Sequence, residues 1–495
     1  MQTRRIPKLA VLSDGDCSQI HAATLDLMQR VGVSFLVPEA VDVFRHAGFE
    51  IANGCIVRFK PAEVAAALRT VPSDFVRRGL TAGLDVSIGG GSLVMGAGSL
   101  PLSVIEIPDY RRRRASLDDL ARFTRLVDGL ANLAIGNGVV FPHDVPGSVM
   151  HAVWNVNAAV NTSKPSCCWY ATTAQMAQDG IAVMSAAAGG TDRLREMKTW
   201  AVTICPERTL TWGPSIHGLL EMARYHVPIE VVSVPMSGSM TPVTMAGTLV
   251  HANIEVISAI VLSQLVEPGC PIIYAPSYGG SMDMRTGAHC FGTPETAVQG
   301  AAFAQLGRWY GFPTNMMAGI SDSKAPDQQA AYEKMMVLLF PALAGADCIT
   351  QAAGLLDFAL SASYEQMVID DEICSQVLKL AKGFTFDEGT LAAAVIEEVG
   401  HGGSFLAHEH TLAHFREELW IPRLSDRRTY DGWDQAGRKD INQRAREKAE
   451  AILAQHRPIG VGGDLAQAAA GVARSICDRE GVSPACIDQL MERGQ

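Results

Sequence analysis

Eight short apolar runs, each followed by a helix-length stretch, constrain this chain more than any other feature. The runs lie near residues 93–107, 133–141, 166–170, 201–205, 229–234, 271–275, 314–318 and 347–351. Each leads through a Pro-, Gly- or Ser-rich connection into a segment whose apolar residues recur at helical spacing, as in 149–161 and 326–343. At 495 residues length alone does not settle the domain count, because α/β barrels routinely exceed the usual domain size. Eight strand-helix repeats predict an α/β protein built on a (β/α)8 TIM barrel. An open doubly wound sheet would use the same alternation but would carry a glycine-rich phosphate turn after its first strand. The glycines at 89–91 have no GxGxxG or Walker-type spacing and read as a tight turn.

The flanks read as helical. Residues 1–90 form a helical N-terminal extension, with amphipathic patterns at 14–31, 38–47 and 61–68, each opened by an acid or a proline. The barrel is expected over 91–382. Residues 383–495 form a helical C-terminal region, without strands, packing on the barrel through helices at 391–399, 411–419, 438–456 and 463–477.

Bulk properties exclude several function classes. A net charge of -11 argues against nucleic-acid or membrane-surface binding, which needs clustered Lys and Arg. Arg111 to Arg114 is the exception, and it reads as a solvated turn before a helix capped near Ser116, with a docking patch for an acidic partner as the alternative. The longest apolar helix, near 254–266, is too short to span a bilayer, and the N-terminal apolar run, residues 9–12, is cut short at Asp14. Eleven cysteines without any CxxC pair predict free thiols in a reducing, cytoplasmic compartment.

Barrel active sites lie at the C-terminal ends of the strands, so the loops after each apolar run hold the candidates. Phe141, Trp169, Tyr170, Trp212, Tyr274, Tyr278 and Phe291 fall at or beside these tips in a chain that is only 6% aromatic. Such clustering suits a cation that donates no hydrogen bonds and must be held by ring faces; packing of the rim is the competing reading. Asp144, Glu207, Asp283 and Asp322 at the same tips are placed to reinforce a cation, and Arg285 or Lys324 to hold a carboxylate. A mutual salt-bridge network bracing the loops is the alternative. His401, His408, His410 and His414 raise a metal site, but the order HEHTLAH lacks HExxH and a clear third ligand. Cys167 and Cys168 read as small residues alternating in and out of a strand.

The segment HGGSFLAHEHTLAHFREELWIPRLSDRRTYDGWDQAGRKDINQRA, residues 401–445, resembles the trimethylamine methyltransferase family, as do PMSGSMTPVTMAG (235–247), MDMRTG (282–287) and SDSKAPDQQAAYEK (321–334). The resemblance implies the same barrel. It also implies methyl transfer from a carboxylated quaternary amine, such as glycine betaine, to the Co(I) of a separate corrinoid protein. In that chemistry the cobalt is the nucleophile and a neutral amine leaves, so the barrel orients the substrate without a catalytic acid, base, metal or tightly bound cofactor of its own. The resemblance gives the histidine group a structural or cleft-lining role, and His410 is counted among the expected substrate-binding residues. Trimethylamine enzymes of this family carry pyrrolysine; every position here is a standard residue, which points toward betaines. A homo-oligomer is expected. A non-catalytic quaternary-ammonium binding protein and a metal-dependent barrel hydrolase are the alternatives.

Overall fold

The computed structural model describes residues 3–4 and 8–493, apart from Ser99, Asn137, Trp169 and Tyr278. It is a mixed α/β fold in which all eight apolar runs take part in parallel pairing or bridging. Strand Ser166–Cys167 pairs with Trp200–Ile204, which pairs with Ile229–Val232, which pairs with Ile272–Ala275, all parallel. Tyr274 bridges to Thr314, and Asn315–Met317 pairs with Cys348–Thr350 and this in turn with Val94–Met95. Gly96 bridges in parallel to Ile135, and the Gly136 N–H donates to the Pro165 carbonyl at 2.9 Å.

Helices Leu117–Gly129, Met150–Val160, Ala174–Ala188, Ile216–Arg224, Met245–Val266, Pro294–Tyr310, Gln328–Ala344 and Tyr364–Lys382 follow the successive runs. Their starts are written locally. Ser116, Thr173, Thr293, Asp327 and Ser363 each accept a first-turn backbone N–H with their own side chain, satisfying donors that have no intrahelical partner. Gly311 and Gly345 end two of the helices in the left-handed region, where a Cβ would be strained.

Strand side chains alternate between two faces. Ile229, Val231, Ile272, Tyr274, Met316 and Ile349 join the large core shared with the helices. Their neighbours form thin layers on the opposite face. Ile135, Ile273 and Cys348 pack with Phe75, Val86 and Ile88 of the hairpin Asp74–Arg77/Val86–Gly89, and Val232, Ala275 and Met317 pack together with Cys205. Between these two apolar layers lies a polar one made of Thr203, Glu230, Asn315 and Thr350.

Several sequence expectations are corrected. The run at 93–107 splits into Val94–Met95 and a second strand, Ser103–Glu106. Arg111–Arg114 is not a turn: it pairs antiparallel with Ser103–Glu106, and its guanidiniums bind Glu106, Asp119 and Asp357. The N-terminal 90 residues hold strands as well as helices, and Phe384–Thr385 pairs with Thr3–Arg4, so the C-terminal region is not strand-free. The apolar helix runs from Met245 to Val266, 22 residues, long and apolar enough by composition to cross a membrane. It is mostly buried in the protein and carries Asn253 and Glu255 on hydrogen bonds to other elements, which marks it as a core helix.

The loops after the last two inner strands are held by a buried ion pair. Lys334 Nζ lies 3.0 Å from Asp370, both side chains fully buried, and also donates to the Gly319 carbonyl at 2.5 Å. Asp370 in turn accepts the Gly354 N–H and the Gln366 amide, both at 2.7 Å. Lys334→Ala is expected to lower stability by about 3–5 kcal/mol, because it leaves a buried carboxylate unpaired. Replacing both partners, as Lys334→Met with Asp370→Leu, should recover most of the loss. Urea unfolding midpoints of the three variants check both outcomes.

Candidate active site

A cavity of about 280 Å³ opens at the C-terminal ends of the parallel strands, lined by Trp154, Cys167, Tyr170, Thr203, Glu230, Met317, Thr350 and Gln351 among others. Thr203, Glu230, Met317 and Thr350 reach it from the strands themselves, Tyr170 and Gln351 from just past strand ends, and Trp154 from helix Met150–Val160.

Glu230 is the centre of its electrostatics. The side chain is nearly fully buried on strand Ile229–Val232. Its Oε2 accepts from Thr203 Oγ1 at 3.0 Å and its Oε1 from Asn315 Nδ2 at 3.4 Å, while Asn315 Nδ2 also donates to Thr350 Oγ1 at 2.8 Å. Burial pushes the carboxyl above the usual carboxylate range; the Arg77 guanidinium and the two hydrogen bonds oppose that shift without cancelling it. Arg77 rises from the hairpin beneath, fully buried, and donates to the carbonyls of Ser166 and Thr199. The cavity floor thus holds a buried carboxyl whose pKa is raised by desolvation.

Gln351 supplies the second feature. Its φ of 61° is unusual for a residue with a Cβ, and backbone strain of that kind collects at ligand sites. Its buried Oε1 has no hydrogen-bond partner among the described residues, and its Nε2 makes a long contact, 3.7 Å, to Met317 Sδ. On the opposite wall the Tyr170 hydroxyl is bonded to the Cys205 thiol, and burial raises the phenol's pKa. The Trp154 indole N–H donates to the Cys167 carbonyl at 3.1 Å. Burial also pushes the Cys168 thiol up, away from the thiolate a nucleophile requires.

Of the residues expected from sequence, Tyr170 lines the cavity. Trp169 and Tyr278 lie outside the described residues. Glu207 is exposed on the adjoining turn and close enough to Tyr170 to act on it electrostatically. The remainder are placed elsewhere, which corrects the reading. Trp212 is fully buried with its indole N–H on Ser258 Oγ at 3.0 Å. Tyr274 is fully buried, donates to Asn253 Oδ1 at 2.9 Å and packs against Tyr310 and Phe312; period two turns it toward the helices. Phe141 is half-buried, its N–H on the Pro101 carbonyl. Asp144 accepts the Leu117 N–H at 2.8 Å and so serves a helix start. Asp322 accepts the N–H groups of Phe291 and Gly292.

The two candidate carboxylate anchors are also outside the cavity. Arg285 is 88% exposed and closed on Asp283, while Lys324 donates to the Asp322 carbonyl at 2.7 Å and sits 3.9 Å over the Phe358 ring. His410 also lies away from the cavity, its ring tilted against that of His414 with centroids 4.4 Å apart, on helix Glu409–Glu418. Among the described residues no three His, Cys, Asp or Glu side chains gather as a metal-binding group. Sequence reasoning missed Glu230, Gln351, Thr203 and Trp154. The available signal was the lone carboxylate inside the otherwise apolar strand Ile229–Val232, since an acid buried in such a run needs a partner or a purpose.

Comparison with known proteins gives this geometry its context. Two solved structures, one of the Methanosarcina barkeri monomethylamine methyltransferase (MtmB) and one of a hydroxylamine MtmB complex, align over 90% of this chain and 96% of theirs, at 12% identity and a TM-score of 0.48. A glycine betaine methyltransferase of Desulfitobacterium hafniense (strain Y51) is 33% identical over 457 residues, covering 92% of this chain and 94% of the relative. A trimethylamine methyltransferase MttB from Desulfitobacterium hafniense (strain DSM 10664 / DCB-2) is 32% identical over 97% of this chain and 96% of its own length. An MttB from Methanosarcina barkeri (strain Fusaro / DSM 804) is 31% identical over 92% and 93%. With the family model described as Trimethylamine methyltransferase (MTTB) matching residues 1–470, the chain belongs to the trimethylamine methyltransferase family.

Proposed function

We propose that this enzyme moves a methyl group from a carboxylated quaternary amine, glycine betaine or a related betaine, to the corrinoid of a separate protein. We propose equally that its parallel strands close into a (β/α)8 barrel carrying the helical extensions 1–90 and 383–495. The pairings support closure, because they run in sequence order around all eight strands and the Gly136–Pro165 hydrogen bond joins the second to the third.

The observation that carries the substrate assignment is the buried Glu230 carboxyl beneath aromatic walls. A trimethylammonium group offers no donor, so it is recognised by ring faces and by a nearby anion. Tyr170 and Trp154 supply rings in this reading, and Glu230 supplies charge once the cation has displaced its proton. The Gln351 amide and the Tyr170 hydroxyl are the donors available to the substrate's carboxylate. About 280 Å³ places the cavity at the small end of ligand sites, as a compact zwitterion needs.

The corrinoid protein is the methyl acceptor, a second substrate whose reduced cobalt supplies the nucleophile. This chain's contribution is position: it holds the head group with one methyl facing the mouth and keeps water away from the in-line path. The departing amine is neutral and needs no proton. Leu100, Leu102, Val243, Met284 and Leu360 are all exposed on loops following the strands, an apolar rim suited to docking that partner.

Mixed with a Co(I) corrinoid protein, the enzyme is expected to change the corrinoid absorbance with glycine betaine or a close carboxylated analogue, and not with trimethylamine. Turnover of trimethylamine would overturn the betaine assignment, and betaine binding without methyl transfer would leave a binding protein. A second outcome follows from Glu230. Its carboxyl is raised in the free cavity and a bound cation favours the ionised form, so betaine binding should release a proton and tighten as pH rises toward the free-state value. Calorimetry in buffers of different ionisation enthalpy reads that proton. Glu230→Gln should abolish the release and weaken binding about tenfold or more, the scale of a charged buried contact.

A further inference from the structure

The end of the protein opposite the cavity carries a surface that the methyl-transfer chemistry does not use. Helix Tyr364–Lys382 starts near the cavity end and delivers the chain to the N-terminal ends of the strands. There residues 384–421 leave as an arm. Its helices Glu388–Leu391, Ala393–Val399 and Glu409–Glu418 contain no buried residue. Phe384, Leu391, Ile396, Leu406, Leu412 and Leu419 are each between 53% and 86% exposed. A helix is stabilised mainly by burying an apolar face, and in this arm the most that any apolar residue achieves is partial burial, as at Val395, Phe415 and Trp420.

The whole molecule shows the same deficit. A compact monomer of 52.9 kDa is expected to expose about 17,700 Å², whereas this chain exposes 20,414 Å². The excess, roughly 2,700 Å², is the order of surface each protomer buries in a large obligate homodimer.

The same end carries a complementary feature. A groove of about 380 Å³ runs between the ends of helices Gln328–Ala344 and Tyr364–Lys382 and the turn at Gly91, floored by Leu93, Leu343, Leu378 and Ala381 and flanked by Lys8 and Lys382. The arm is acidic: over 384–421 it holds seven carboxylates, from Asp387 to Glu418, against one guanidinium, Arg416. An apolar, acidic arm beside an apolar, basic groove on one face is self-complementary, the condition for a two-fold contact.

We propose that residues 384–421 are the exchange arm of a homodimer, docking in the Leu93/Leu343/Leu378 groove of a second copy. The corrinoid partner is not the occupant, because it must reach the cavity mouth at the other end. Two such docked arms leave both mouths facing outward.

Light scattering on the full-length protein at micromolar concentration tests this. Wild type should have twice the chain mass. An arm variant, Leu406→Glu with Leu412→Glu, and a groove variant, Ala381→Glu, should each be monomeric, with unchanged circular dichroism and retained betaine binding to show that they are folded. An equimolar mixture of the two should regain the dimer, since one intact arm can still meet one intact groove. A monomeric wild type, an arm variant that remains dimeric, or a mixture of folded monomers that fails to associate would each overturn the proposal, the last because it denies the arm-to-groove contact.

Discussion

The two-residue alternation of the parallel strands is the constraint on which the rest depends. It turns Ile229, Val231, Tyr274 and Ile349 toward the helices and leaves Glu230, Thr203, Asn315 and Thr350 on the opposite face. Because the strands are parallel, every helix-bound loop leaves from the same end, so the residues just past each strand converge there. A one-residue slip in any strand would exchange core and cavity side chains. The helix caps at Ser116, Thr173, Thr293, Asp327 and Ser363 guard against such slips by fixing where each loop becomes a helix.

Burying a carboxyl in that inner face is costly, and the fold offsets it in layers. Apolar residues close the space below Glu230 and flank the cavity above it, two hydroxyl- or amide-bearing neighbours hydrogen-bond it, and Arg77 lends a positive field from the hairpin. The compensation is incomplete, and the carboxyl's pKa stays raised. In the proposed function a cation with no hydrogen-bond donors would complete it better than water, since water cannot supply net charge. Gln351, with its positive φ and an amide oxygen that has no hydrogen-bond partner among the described residues, lines the same cavity.

The two ends of the strands therefore serve different ends of the chemistry. The C-terminal end gathers the cavity and an apolar rim, and the N-terminal end is sealed by the Asp74–Gly89 hairpin and carries the acidic arm. A second copy docked through the proposed arm would leave the cavity mouth reachable by a large methyl acceptor.

Much was legible in the sequence. Apolar runs, loop chemistry and capping residues are local signals, so the eight strand-helix repeats, the free cysteines and the family resemblance could all be read from residue order. Tyr170 was found because it immediately follows its strand. Which face a side chain takes is set by pairing register, a property of two strands together, and here sequence reading failed. Trp212 and Tyr274 sit beside the loop tips in the chain yet are locked in the core. Charge at a tip was equally ambiguous: Arg285 and Lys324 found partners within two residues and stayed outside. By itself the sequence determined the order of elements and the family. Only the tertiary structure decided that Glu230, hidden in an apolar run, and Trp154, carried on a helix, would meet around one cavity, because their proximity comes from strands and helices brought together across long stretches of chain.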